Sequence, residues 1–245
     1  EMSGESSSRA NISIPQAQKD LLKELKKTGK PIVLVLFAGR AMEIKEESEL
    51  ADAILNVWFP GSEAGLAISD VLFGKVNPSA KLPMTFPRSV GQIPIFYNHK
   101  NTGRPLSQQS TEKCKFDKFR SNYLDECNTP LYPFGYGLSY TQFTYNNLNL
   151  SSTNPKGNQT LKVSVNLTNS GKYEGAEVVQ LYIRDLVGSN TRPVKELKGF
   201  QKVYLKAGEA KTVTFNVTPE DLKFYDNNLK YDWESGEFEF FVGGD

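Results

Sequence analysis

The residue types that carry most hydrolytic and transfer chemistry are scarce in this sequence. His99 is the only histidine, which argues against a histidine-ligated metal cluster and confines any Ser-His-Asp arrangement to its surroundings. No Gly-x-Ser-x-Gly elbow occurs, and no Gly-x-Gly-x-x-Gly or Walker loop follows the apolar run from Pro31 to Ala38. Cys114 and Cys127 are too few for a zinc cluster. They allow either one bridge, closing a loop of about 14 residues worth roughly 3 kcal/mol on the chain-entropy model, or two free thiols in a surface loop. Carboxylates remain. Glu5 lies in Ser3-Gly-Glu-Ser-Ser-Ser-Arg9, a small polar run ahead of the first helix. Composition alone describes this run as a solvated tail. The chemical alternative is a glutamate on a mobile loop, with Arg9 four residues on, that acts as a proton donor once a neighbouring site desolvates it. Glu63, after Pro60-Gly61, either complements the dipole of the helix it opens or serves a ligand at the carboxyl end of a parallel strand.

Composition narrows the classes. The 245 residues carry 29 Lys+Arg against 28 Asp+Glu, a net charge of +1, so there is no basic excess for a phosphate backbone and nucleic acid is not an expected partner. With 38% hydrophobic, 11% aromatic and 23% charged residues, the chain is long and apolar enough to fold around real cores. No apolar run reaches the roughly 18–20 residues of a membrane span.

The first half reads as helix alternating with buried strand. Pro15 stands where a helix N1 proline would, and Ile14, Ala17, Leu21, Leu22 and Leu25 share one face before Gly29. Pro31–Ala38 and Asp52–Phe59 are continuously apolar enough to be parallel strands covered on both faces, and Ser62–Leu72 is a further helix stopped by Gly74. From about Asn77 to Gly137 the pattern is aperiodic, Pro/Gly-rich and dotted with aromatics, with Ser107–Phe119 as an exposed, mobile excursion. After Tyr140 the period becomes two, in short strands such as Thr160–Thr168, Ala176–Asp185, Val194–Leu205, Thr212–Val217 and Phe238–Val242. The fold class is therefore α/β followed by all-β: a partial α/β sandwich with parallel strands over 1–140, including a long loop at 98–130, then an immunoglobulin-like sandwich over 141–245.

Eight ordered segments resemble the C-terminal part of glycoside hydrolase family 3, of the bacterial periplasmic β-glucosidase type. They are Ser3–Arg9, Gly29–Leu36, Trp58–Gly65, Ala67–Gly74, Asn77–Pro87, Gly91–Pro94, Asn101–Pro105 and Tyr132–Tyr140. The resemblance covers essentially the whole chain. It implies a family α/β sandwich domain followed by a fibronectin type III-like domain, in a retaining exo-acting β-glycosidase with no cofactor and no metal. The motif Gly-Glu-x-x-Ser-Arg puts the general acid/base at Glu5, facing an aspartate nucleophile on an N-terminal barrel. The substrate is expected to be a β-glucoside or gluco-oligosaccharide, with Arg9, His99, Asn101 and Arg104 as candidate contacts. The last three lie in a loop that either borders the leaving-group subsite or makes plain bridging hydrogen bonds.

The 245 residues hold no barrel segment, and only two strong parallel-type strands come before the long loop. The expectation is therefore one piece of a longer polypeptide, inactive alone, whose partners are the barrel segment of the same polypeptide and, in a homodimer, a second copy. A non-catalytic carbohydrate-binding or scaffolding protein is the rival from another class, and a β-xylosidase the rival within the family. A bacterial periplasm or exterior is the expected location, which also permits a Cys114–Cys127 bridge.

Overall fold

The computed structural model describes residues 6–244 in two units. One takes the chain through Asp70 with Met84–Phe96 and Arg104–Phe134; the other takes Val71–Pro83, Tyr97–Gly103 and Gly135 onward.

In the first unit, α1 (Gln16–Lys26) begins one residue after Pro15, whose extended ψ of 140° places it just ahead of the helix rather than at its first turn. β1 (Val33–Leu36) runs parallel to β2 (Ala53–Asn56), with Val33 opposite Ala53. Between them lies α2 (Lys45–Leu50), which periodicity does not predict. Its sequence is Lys-Glu-Glu-Ser-Glu-Leu and the side chain it buries is Glu47, so there is no apolar stripe to read. α3 (Ala64–Leu72) starts two residues later than the sequence suggests. Glu63 consequently precedes the helix, and its carbonyl accepts the first helical bond, from Ala67 N at 3.0 Å. Both strands are shorter than their apolar runs. Neither is covered on both faces among the described residues: Val33 and Phe37 stay exposed beside buried Leu36 and Ala38.

The supposed excursion at Ser107–Phe119 carries a helical turn, α4 (Gln108–Glu112), and is stapled by a Cys114–Cys127 disulfide. This decides between the two readings of the cysteines.

The second unit is an all-β sandwich. Its strands are β3 (Phe143–Leu150), β4 (Leu161–Asn169), β5 (Gly175–Asp185), β6 (Glu196–Leu205), β7 (Ala210–Val217), β8 (Phe224–Tyr225), β9 (Tyr231–Asp232) and β10 (Phe238–Gly243). Antiparallel sheets of order β3-β4-β7 and β10-β5-β6 enclose one core, in which Val163, Val165 and Leu167 of β4 meet Val179, Leu181 and Ile183 of β5 and Val213, Phe215 and Val217 of β7. β4 and β7 bury alternate residues, the signature of strands with one wet face. β5 buries both faces instead, because straps from the central stretch cover its outer side. Tyr97 meets the Tyr182 ring edge-on at 5.8 Å, and Gln180 receives the Tyr182 hydroxyl at 2.7 Å while donating to the carbonyls of Gly135 and Gly244.

Two glycines in the Tyr132–Tyr140 run follow from this packing. Gly135 has φ +86° and sits where a Cβ would approach the Gln180 amide to 2.7 Å. A Cβ on Gly137 would fall 2.5 Å from the Ala80 carbonyl oxygen. Asn77 brackets the same region, donating to the Glu174 carbonyl at 3.0 Å and accepting from Ser139 Oγ and Tyr140 N at 2.9 Å each.

Leu167→Ala, at a fully buried core position, is expected to lower the unfolding free energy by about 2–5 kcal/mol. Thr214→Ala, on the exposed face of β7, should stay within about 0.5 kcal/mol of the parent. Urea unfolding measures both, and equal effects would contradict the assignment of faces.

Candidate active-site segment

Glu5 lies outside the described residues. The chain that follows it is held at two places. Arg40, just beyond the carboxyl end of β1, donates from Nη2 to Ser8 Oγ at 2.7 Å and from Nη1 to the Arg9 carbonyl at 3.0 Å. Further on, Asn11–Ile14 is pinned beside the segment that leads into α2. Ser13 Oγ donates to Glu43 Oε2 at 2.9 Å, Glu43 N donates to the Ile12 carbonyl at 3.3 Å, and Asn11 Oδ1 accepts from Ser13 N at 2.9 Å. Ile12, Ile14 and Ile44 bury their side chains in the same stretch. Lys19 of α1 reaches Glu47 at 3.3 Å and Glu43 at 3.9 Å, supplying the counter-charge for a Glu47 that is 1% exposed. A groove of about 510 Å³ runs along this segment, lined by Arg9, Asn11, Ser13, Gln16 and Lys19.

The position of Arg40 is set by its neighbour. Gly39 lies against the Phe59 ring, so close that a Cβ would stand 2.8 Å from it. Phe59 and Trp58 occupy the loop after β2, and Trp58 packs on Phe86 at 6.0 Å between ring centroids, with Phe86 in turn 6.3 Å from Tyr132. The carboxyl ends of the two parallel strands thus carry Arg40 on one loop and an aromatic cluster on the next, at the edge where open α/β sheets bind ligands.

The other candidate residues divide between the units. Arg9 and Arg104 belong to the first, His99 and Asn101 to the second. His99 is exposed, with Nδ1 at 3.2 Å from the Lys100 carbonyl, and its own carbonyl accepts from Val194 N at 2.9 Å. Asn101 and Arg104 are also exposed, and the Arg104 carbonyl accepts from Ser121 N at 2.8 Å. Arg40 is the polar residue that motif reasoning passes over. Its one signal is a charged residue following Gly39 directly after an apolar strand.

Around the disulfide, side chains replace regular structure. Gln92, 3% exposed, accepts from Arg88 N at 2.6 Å and donates to the Cys127 carbonyl at 2.7 Å. Glu126 receives the Lys45 ammonium at 2.6 Å and Cys127 N at 2.9 Å, and the hydrogen bond from Lys45 holds its carboxyl below the usual carboxylate range. A cleft of about 290 Å³ opens here, lined by Cys114, Phe116, Tyr123 and Glu126 among others.

The Glycosyl hydrolase family 3 C-terminal domain matches residues 1–140. The chain belongs to glycoside hydrolase family 3. A Fibronectin type III-like domain matches residues 177–245. Among family relatives, the periplasmic beta-glucosidase of Salmonella typhimurium is 54% identical over 244 residues, covering all of this chain and 31% of that protein. A beta-xylosidase of Formosa agariphila is 42% identical over 98% of this chain and 32% of its own length. The crystal structure of a beta-glucosidase from Listeria innocua in complex with isofagomine superposes with a TM-score of 0.93 at 46% identity, over 98% of this chain and 33% of that one. The chain spans about a third of the length of the relatives it matches. The α/β-then-all-β architecture is thus shared with the matched third of the Listeria innocua structure.

The Lys45–Glu126 pair generates a pH test. Because the folded carboxyl titrates below its unfolded value of about 4.3, its contribution to stability is complete above that pH and is lost as pH falls through the lower folded value. Glu126→Gln is expected to remove that part of the acid-side decline in stability, measured as unfolding midpoints between pH 7 and about pH 3. An unchanged acid profile would show that the pair carries no linkage.

Proposed function

We propose that this chain is the C-terminal portion of a retaining exo-acting β-glucosidase that releases terminal non-reducing β-D-glucosyl residues. The observation that carries the reading is the match of 98–100% of the chain to proteins named as β-glucosidases, one of them a solved structure at TM-score 0.93. In this reading residues 1–140 are the C-terminal part of the family α/β sandwich domain and residues 141–245 the fibronectin type III-like domain. The protein works in a bacterial periplasm or outside the cell, as the Salmonella relative's name indicates for that protein.

The chemistry assigns Glu5 two proton transfers. Its carboxylic acid gives a proton to the leaving glycosidic oxygen as an aspartate on the preceding barrel bonds to the anomeric carbon. Its carboxylate then takes a proton from the water that frees the glycosyl-enzyme. Retention of configuration requires the two carboxyl groups about 5–5.5 Å apart, so the segment bearing Glu5 must be held firmly. Arg9, His99, Asn101 and Arg104 supply hydrogen bonds to substrate.

Glu5→Gln in the complete enzyme is expected to lower kcat/KM for a phenyl glucoside by about 10²–10⁴-fold while leaving a dinitrophenyl glucoside, which needs no acid, nearly unaffected. Equal rates for parent and variant on both substrates would remove Glu5 as the acid. The 245-residue chain by itself should release no glucose, since the nucleophile is assigned elsewhere. The 42% identical β-xylosidase favours a second sugar, and relative kcat/KM for p-nitrophenyl glucoside and xyloside decides between them.

A further inference from the structure

The clasp on Ser8 and Arg9 is made by a guanidinium. Arginine has five N–H donors in a rigid plane and no acceptor, so one side chain can hold two acceptors in a fixed relation. The two terminal nitrogens of Arg40 go to a serine hydroxyl and a main-chain carbonyl on consecutive residues, 32 and 31 positions away in sequence. The backbone that carries Arg40 is itself fixed: β1 ends at Leu36, Ala38 is buried, and Gly39 is pressed against Phe59. A planar fork on a fixed base, gripping two successive residues of an irregular segment, sets the direction of that segment as well as its position.

Three peptide links separate Ser8 from Glu5, at most about 11 Å of extended chain. Holding Ser8 and Arg9 therefore bounds where the Glu5 carboxyl can reach. The downstream pinning by Ser13, Glu43 and Lys19 stops short of this: its earliest contact is at Asn11, six residues from Glu5.

We infer that Arg40 is the positioning residue for acid/base catalysis, gripping Ser8 Oγ and the Arg9 carbonyl so that Glu5 meets the glycosidic oxygen. This rests on the assignment of Glu5 as acid/base. Arg40 touches no reacting atom and acts through the segment it holds.

The test uses the complete enzyme with Arg40→Ala, Arg40→Lys and Glu5→Gln, each assayed as kcat/KM on phenyl and on 2,4-dinitrophenyl β-D-glucoside. Misplacing the acid slows departure of phenol, which needs a proton, and spares departure of dinitrophenolate, which does not. Arg40→Ala is expected to lose about 10–100-fold on the phenyl glucoside and less than about threefold on the dinitrophenyl glucoside, part of what removing a general acid costs. Arg40→Lys, a single donor point in place of a fork, should fall between parent and Arg40→Ala, and millimolar guanidinium should restore part of the phenyl activity to Arg40→Ala. Ser8→Ala deletes one acceptor without disturbing Arg40's own packing, so the same split at smaller size is expected from it even where Arg40→Ala does not fold.

Equal losses on the two substrates, or no loss on either, while Glu5→Gln shows the split, would overturn the inference and leave Arg40 a merely structural residue. A Glu5→Gln enzyme without the split would instead remove the acid/base assignment, and the inference with it.

Discussion

Backbone N–H and C=O groups that leave water must be paired, and a chain with few helices or strands has to pair them through side chains. The central stretch of this protein is governed by that constraint. Gln92 and Arg88 take the carbonyls of Cys127 and Thr129, Asn122 takes those of Asp117 and Arg120, and Asn128 takes that of Ser121. Asn77 takes the Glu174 carbonyl and accepts the Tyr140 N–H. Amides suit this task because each carries both a donor and an acceptor end. The result is irregular backbone with defined positions, which is what a site built on loops needs.

The disulfide belongs to the same scheme. Cys114 and Cys127 close a loop whose other anchors are Gln92 on the Cys127 carbonyl and the Lys45–Glu126 pair. A covalent tie reduces the freedom of the unfolded chain, and the polar anchors give the loop one arrangement once folded. In the sandwich unit the straps do comparable work on a sheet face. They turn the outer side of β5 from a wet surface into an interior one, and for that reason Gln180 and Tyr182 are buried there, bonded to each other.

The proposed role of Glu5 sets a mechanical requirement that the first unit bears on. A carboxyl that donates a proton in one step and recovers one in the next must stay within hydrogen-bond reach of two different oxygens. The segment after Glu5 is polar and exposed from Ser6 to Asn11, so its order has to come from elsewhere. It comes from the carboxyl ends of parallel strands, through Arg40, and from Glu43 just ahead of α2, through Ser13 and Lys19.

Much of the scaffold was legible in the residues because it is governed by short-range periodicity. Alternation along β4 and β7 specifies which side chains enter the core, apolar runs mark β1 and β2, and the ordered motifs from Ser3 to Tyr140 identify family 3. Tertiary structure alone decided what depends on residues far apart in sequence. It made α2 a helix through a buried Glu47 and Lys19, paired the two cysteines, covered the second face of β5, and brought Arg40 to Ser8 across more than thirty residues. Local patterning records only how a residue relates to its near neighbours along the chain. A hydrogen bond or disulfide between distant positions is specified by the fold that brings them together, and no spacing rule carries it.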